Sequence, residues 1–107
     1  MENILITDRL DLFATSIPCG NMRGLSINAQ RYVLVHSKND RWYLVKEECP
    51  HAGAKLQAGA VNDQHELVCP MHAYAFSLHD GREARGRCAD LWVVKLWVSG
   101  NELWWKE

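Results

Sequence analysis

The chain has 107 residues, of which 48% are apolar and 23% charged, and its formal net charge is −1. That length holds one domain with one core, and the apolar share excludes a disordered segment. A near-neutral charge, with both signs spread from end to end, leaves no footprint for nucleic acid and no polybasic membrane anchor.

The N-terminal stretch MENILITDRLDLF places Asp8, Arg9 and Asp11 where a secretory signal would be apolar, and no window approaches the ~20 apolar residues of a membrane span. A cytoplasmic location is expected, in which cysteines act as ligands or free thiols rather than disulfides. Were the four cysteines oxidised in pairs, three connectivities would be open.

Met22 to Ile27 (MRGLSI) reads as a strand, with Gly24 marking a bulge or a close approach. Arg31 to His36 (RYVLVH) alternates, with Tyr32, Leu34 and His36 on one face and Val33 and Val35 on the other. Ser37 to Asp40 supplies a turn before Arg41 to Val45 (RWYLV), which makes a hairpin. His65 to Cys69 (HELVC) is a further strand. Tyr74 to His79 (YAFSLH) runs into Asp80-Gly81, the strongest turn signal in the chain. Arg82, Arg85 and Arg87, interrupted by Glu83, read as a solvated turn first and a docking patch second. Leu91 to Val98 and Glu102 to Trp105 form a last hairpin across Ser99-Gly100-Asn101. No segment sustains a helical period. The pattern predicts one all-β domain over residues 1–107, a small antiparallel sandwich or barrel, with two loops within about 47–79 forming an excursion from it.

That excursion carries the chemistry. Cys49-Pro50-His51 is followed, after seventeen residues, by Cys69-Pro70-Met71-His72. Thiolate and imidazole together select zinc, copper or an iron–sulfur cluster. A Cys2His2 zinc finger groups cysteine with cysteine and histidine with histidine, and sets the histidines on a helix. Here each loop mixes one of each and no helix is expected, which suits a two-iron cluster better; a zinc site is the alternative. His36, His65 and His79 read as strand-face and turn residues, and Cys19 and Cys88 as free thiols.

The two motifs, with RWYLVKEECPHAGAKL, HELVCPMHAYAFSLHDG and LWVVKLWVSGNELWW around them, resemble the soluble Rieske-type [2Fe-2S] ferredoxins over about three-quarters of the chain. The first twenty residues are uninformative. The resemblance implies one [2Fe-2S] cluster, with Cys49 and Cys69 on the inner iron and His51 and His72 on the outer one, near the surface. It implies an electron carrier that is not catalytic alone. Such a carrier is a monomer meeting its partners transiently, between a flavin-dependent NAD(P)H reductase and a terminal oxygenase. The alternative is the small subunit of an assimilatory nitrite reductase.

Two departures from the high-potential members are visible. The positions that carry their bracing disulfide are Ala54 and Met71 here. Those that carry a serine and a tyrosine hydroxyl near the cluster are Tyr74 and Phe76. Hydrogen bonds to sulfur favour the reduced state, so their loss points to a low potential. The third loop, GREARGRCADL, also lacks the proline common in relatives, which makes its shielding of the cluster weaker.

Overall fold

The runs Tyr32 to Val35 and Trp42 to Val45 are apolar at every position, because the two strands that hold them are buried on both faces. In the computed structural model, which describes residues 3–50 and 53–106, β3 (Gln30–His36) pairs antiparallel with β4 (Trp42–Lys46), Leu34 opposite Leu44. Val33, Val35, Tyr43 and Val45 enter one core with Leu56, Leu67, Phe76 and Leu91. Tyr32, Leu34, Trp42 and Leu44 enter a second with Ile17, Leu96 and Leu103. The alternation expected for Arg31 to His36 is therefore the one observed, with His36 on the second face.

β2 (Met22–Ile27) and β8 (Val93–Lys95) flank this pair in the order β2-β3-β4-β8. A second sheet, β1-β10-β9, joins β1 (Ile4–Thr7), β10 (Glu102–Trp105) and β9 (Trp97–Ser99). The third, β5-β6-β7, comprises β5 (Ala60–Val61), β6 (Glu66–Val68) and β7 (Ala75–Ser77). All the pairings are antiparallel. Among the described residues no sheet closes on itself, so the architecture is stacked open sheets rather than a barrel.

Three features differ from the expectations. Leu10–Ser16 is a short helix, α1. Leu10 and Phe13 pack against the second core and Ile17 lies within it, a helical spacing too brief to stand out as a period. No side chain of its own caps the helix; instead the Leu10 N–H donates to the Asn101 carbonyl and the Asp11 N–H to its Oδ1, both at 2.9 Å. A 3₁₀ turn, Leu56–Ala58, is the second helical element. Third, Leu91 to Val98 is not one strand. It divides at Leu96, whose N–H donates to the Trp42 carbonyl at 2.9 Å while its side chain enters the second core. β8 stays on β4, and β9 leaves to pair with β10.

Gly24 is a close approach, as expected: a β-carbon there would meet the side chain of Gln57 from the 3₁₀ turn. Asp80-Gly81 does turn the chain. Gly81 has φ +80, and a β-carbon would collide with the Leu91 carbonyl, so only glycine lets Leu91 dock there, its N–H donating to the Gly81 carbonyl at 2.8 Å. No helix among the described residues is long and apolar enough to cross a membrane.

Candidate metal centre

The two motif loops are closed in the same way. The Cys49 N–H donates to the Ala54 carbonyl and the Cys69 N–H to the Tyr74 carbonyl, each at 2.8 Å and each spanning five positions. The first loop leaves the end of β4 and returns through a bridge between Glu48 and Lys55, with Gly53 at φ +67 reversing the chain. The second leaves β6 and returns in β7, with Val68 opposite Ala75. There His72 and Ala73, at φ +63 and +55, make the reversal without a glycine.

This closure turns the cysteines inward and, in the second loop, the tip outward. Cys49 and Cys69 are 2% and 1% exposed and lie in the same core. Burial pushes the Cys69 thiol up, and the Cys49 thiol beside it adds to the shift, against the Met71 N–H. That N–H lies 3.4 Å from the Cys69 sulfur and donates to it. Pro70 and His72 are exposed, and Met71 is 47% exposed. His51 lies outside the described residues. Two neighbouring buried thiols, one already receiving an N–H donor, and an imidazole at the tip of a matching loop are a donor set that fits a two-iron cluster.

The third loop is built around Glu83, which the charge pattern placed in a solvated turn. Glu83 is only 5% exposed. Its carboxylate accepts from the N–H groups of Ala75, Arg85 and Arg87 at 3.0–3.3 Å. It also accepts from Nε and NH2 of Arg87, at 3.0 and 2.8 Å. The guanidinium, with these N–H groups, holds the carboxyl below the usual carboxylate range. Arg82 and Arg85 are exposed as expected; Arg87 is not simply solvated, because its guanidinium lies over the Tyr74 ring. The four-residue spacing of Glu83 and Arg87 was the available signal. The loop is thus ordered by a buried carboxylate in place of proline.

Cys88, in that loop, is partly buried against the core that holds Cys49 and Cys69. Burial pushes its thiol up, with Cys49 a further contributor. It is a neighbour of the site, which its sequence context did not reveal. Of the other histidines, His65 Nε2 lies 3.1 Å from the Tyr43 hydroxyl, His79 is exposed, and His36 is buried.

The Rieske [2Fe-2S] domain model matches residues 10–94. The 3-phenylpropionate/cinnamic acid dioxygenase ferredoxin subunit of Escherichia coli (strain K12) is 26% identical over 58 residues, covering 54% of this chain and 55% of its own length. The chain spans between 14% and 55% of the length of the curated relatives it matches. Among solved structures, a chain from the complex of reduced oxygenase and oxidized ferredoxin in carbazole 1,9a-dioxygenase has a TM-score of 0.70 at 26% identity, over 85% of this chain and 84% of that one. A protein described as a nitrite reductase NADPH small subunit has a TM-score of 0.82 at 18% identity over the whole of both chains, a likeness of fold. With paired loops, buried thiols and a family match running from α1 to β8, the chain belongs to the Rieske [2Fe-2S] domain family, whose cofactor is one [2Fe-2S] cluster.

Proposed function

We propose that this chain is a one-electron carrier whose cluster is held by Cys49, His51, Cys69 and His72, and that it serves a terminal oxygenase. The observation that carries the reading is the inward turn of both cysteines, with His72 and Met71 exposed at the tip of the second loop. The cluster supplies reversible one-electron chemistry when bound. The chain's own residues exclude water from the sulfur side and present an apolar tip, Pro70 and Met71 beside His72, to a partner. A small tip of this kind suits short-lived complexes, which a carrier shuttling between two proteins requires. The chain has no catalytic step of its own in this reading. It works as a monomer in the cytosol, between a flavin-dependent NAD(P)H reductase and the oxygenase.

The likeness to ferredoxin subunits of dioxygenases supports the oxygenase as acceptor. A second reading, as the small subunit of a nitrite reductase, is favoured by the end-to-end fold match. Purified protein should contain two irons and two sulfides per chain and a Rieske-type EPR signal after reduction. Mixed with a reductase and an oxygenase encoded nearby, it should support turnover at catalytic concentrations. A stable stoichiometric complex with a nitrite reductase large subunit, and no transfer to an oxygenase, would favour the second reading. Zinc without sulfide in anaerobically prepared protein would overturn both.

A further inference from the structure

At the opposite end of the β3–β4 hairpin from the cysteine loops, three metal-ligating side chains converge. His36 ends β3 and pairs with Trp42 at the start of β4, whereas Cys49 follows the other end of β4. The Cys19 sulfur lies 3.6 Å from His36 Nε2. Asp40 Oδ1 lies 2.7 Å from the same nitrogen and 3.9 Å from the sulfur.

The proton arrangement on His36 is fixed by its surroundings. Nδ1 sits 2.6 Å from the Ile17 carbonyl, which can only accept, so Nδ1 carries a proton and donates it. Nε2 of a neutral ring is then a lone pair, aimed at a carboxylate oxygen that is also only a lone pair. Two acceptors 2.7 Å apart need a cation that both can bind. It is either a second proton, giving an imidazolium–carboxylate pair, or a metal ion. A proton on Nε2 satisfies Asp40, and the Cys19 thiol is then left with only a long contact, 3.9 Å, to the same carboxylate oxygen. A metal ion uses all three.

The ligands are also held in place. The His36 ring is 2% exposed and stacks on Trp42 with centroids 3.8 Å apart. A carbonyl accepting from the far ring nitrogen is the arrangement that orients metal-bound histidines. The Cys19 loop is clamped to His36 by the Gly20 N–H on the His36 carbonyl at 2.6 Å and by the His36 N–H on the Asn21 carbonyl at 3.0 Å. Asp40 has φ +61 in a turn closed by its N–H on the Ser37 carbonyl. The three ligand atoms lie within 4.8 Å of one another. Tetrahedral zinc, with bonds of roughly 2.0–2.3 Å to sulfur, nitrogen and oxygen, spans such gaps with small side-chain adjustments.

We propose that Cys19, His36 and Asp40 form a zinc-class divalent metal site, separate from the cluster and independent of its partners. One thiolate, one imidazole and one carboxylate suit zinc over harder ions. Cys19 and Asp40 are exposed, so the fourth position opens to solvent and water fills it. The ion ties the loop after α1 to the β3–β4 turn.

The test uses the intact protein, with its cluster in place and its iron content verified. Dialysis against zinc and a competing chelator should leave one zinc per chain with iron unchanged. At the zinc absorption edge, which does not see iron, the wild type should show one sulfur ligand with nitrogen and oxygen. Cys19→Ser should remove that sulfur, and Cys19→Ser and Asp40→Asn should each weaken zinc binding at least tenfold while iron stays constant. Both replaced side chains are exposed, so the fold survives either change. Failure to retain zinc, retention with equal affinity in both variants, or two sulfurs at the zinc edge would each overturn the site. None of these results touches the electron-carrier reading, which rests on iron and sulfide.

Discussion

The guanidinium of Arg87 stacks on the ring of Tyr74, 3.9 Å from its centroid. Because the Tyr74 carbonyl closes the second loop on Cys69, this contact joins the third loop to a cluster loop. Arg87→Ala should shorten the lifetime of the bound cluster in air several-fold, followed by the decay of its visible absorbance. Arg87→Lys keeps the charge but loses the planar fork, so it should rescue only part of the loss. Equal lifetimes in all three proteins would show that the stack is incidental.

Glu83→Gln tests the other end of that brace. The Arg87 guanidinium first, and the N–H groups of Arg87, Arg85 and Ala75 with it, hold the Glu83 carboxyl far below its ordinary 4.5. A carboxyl depressed on folding contributes stability that is fully present above its unfolded value and is lost as pH falls toward its folded one. The wild type should therefore melt higher than the variant at neutral pH, and the gap should shrink only below about pH 4.5. Thermal midpoints of both proteins across pH 3–8 measure this; a gap that is constant with pH would contradict it.

The potential should lie in the lower part of the Rieske range of about −150 to +300 mV. Phe76 is fully buried beside Leu67, and its ring has no donor to offer. Phe76→Tyr should raise the midpoint by on the order of 50 mV if its hydroxyl reaches a sulfur, as one hydrogen bond of about 1 kcal/mol would on a one-electron couple. Direct voltammetry at neutral pH reads it. A wild-type value above about +200 mV, in the upper part of that range, would place the protein in the other branch.

Removing either imidazole should cost the cluster. His51→Ala and His72→Ala each take one of the two protein ligands proposed for the outer iron. Iron and sulfide analysis should fall to near zero, or the EPR spectrum should lose its Rieske character. An unchanged spectrum in both variants would dismiss the assignment.

Asn101→Ala removes the side-chain partner of the Asp11 N–H. Loss of a helix cap costs about 0.5–2 kcal/mol. Urea denaturation should show a drop of that size, with the reduction potential unmoved, since α1 packs on the core that does not contain the cysteines.

Much of this was legible because it is local. The Cys-Pro pairs, the β3–β4 alternation and the Asp80-Gly81 turn are set by neighbours a few positions apart. What escaped is set by partners far away. The helix at Leu10 begins on a cap supplied ninety positions later by Asn101, so no local motif marks its start. Leu91 to Val98 looks like a strand throughout, and only the second core's demand for Leu96 breaks it. Glu83 looks solvated among arginines until Ala75, a residue of another element, contributes its N–H. Cys19 and His36, seventeen positions apart, show no ligand spacing at all until the loop after α1 folds over the end of β3.

The division at Leu96 has a mechanical consequence. A single residue separates the ladder that grips β4 from the ladder that grips β10. A pull on the outer sheet is therefore delivered to the central one across one residue, without slack. Sheets wired in series this tightly surrender together, and amide hydrogens of β4 and β10 should be released in one shared event rather than two.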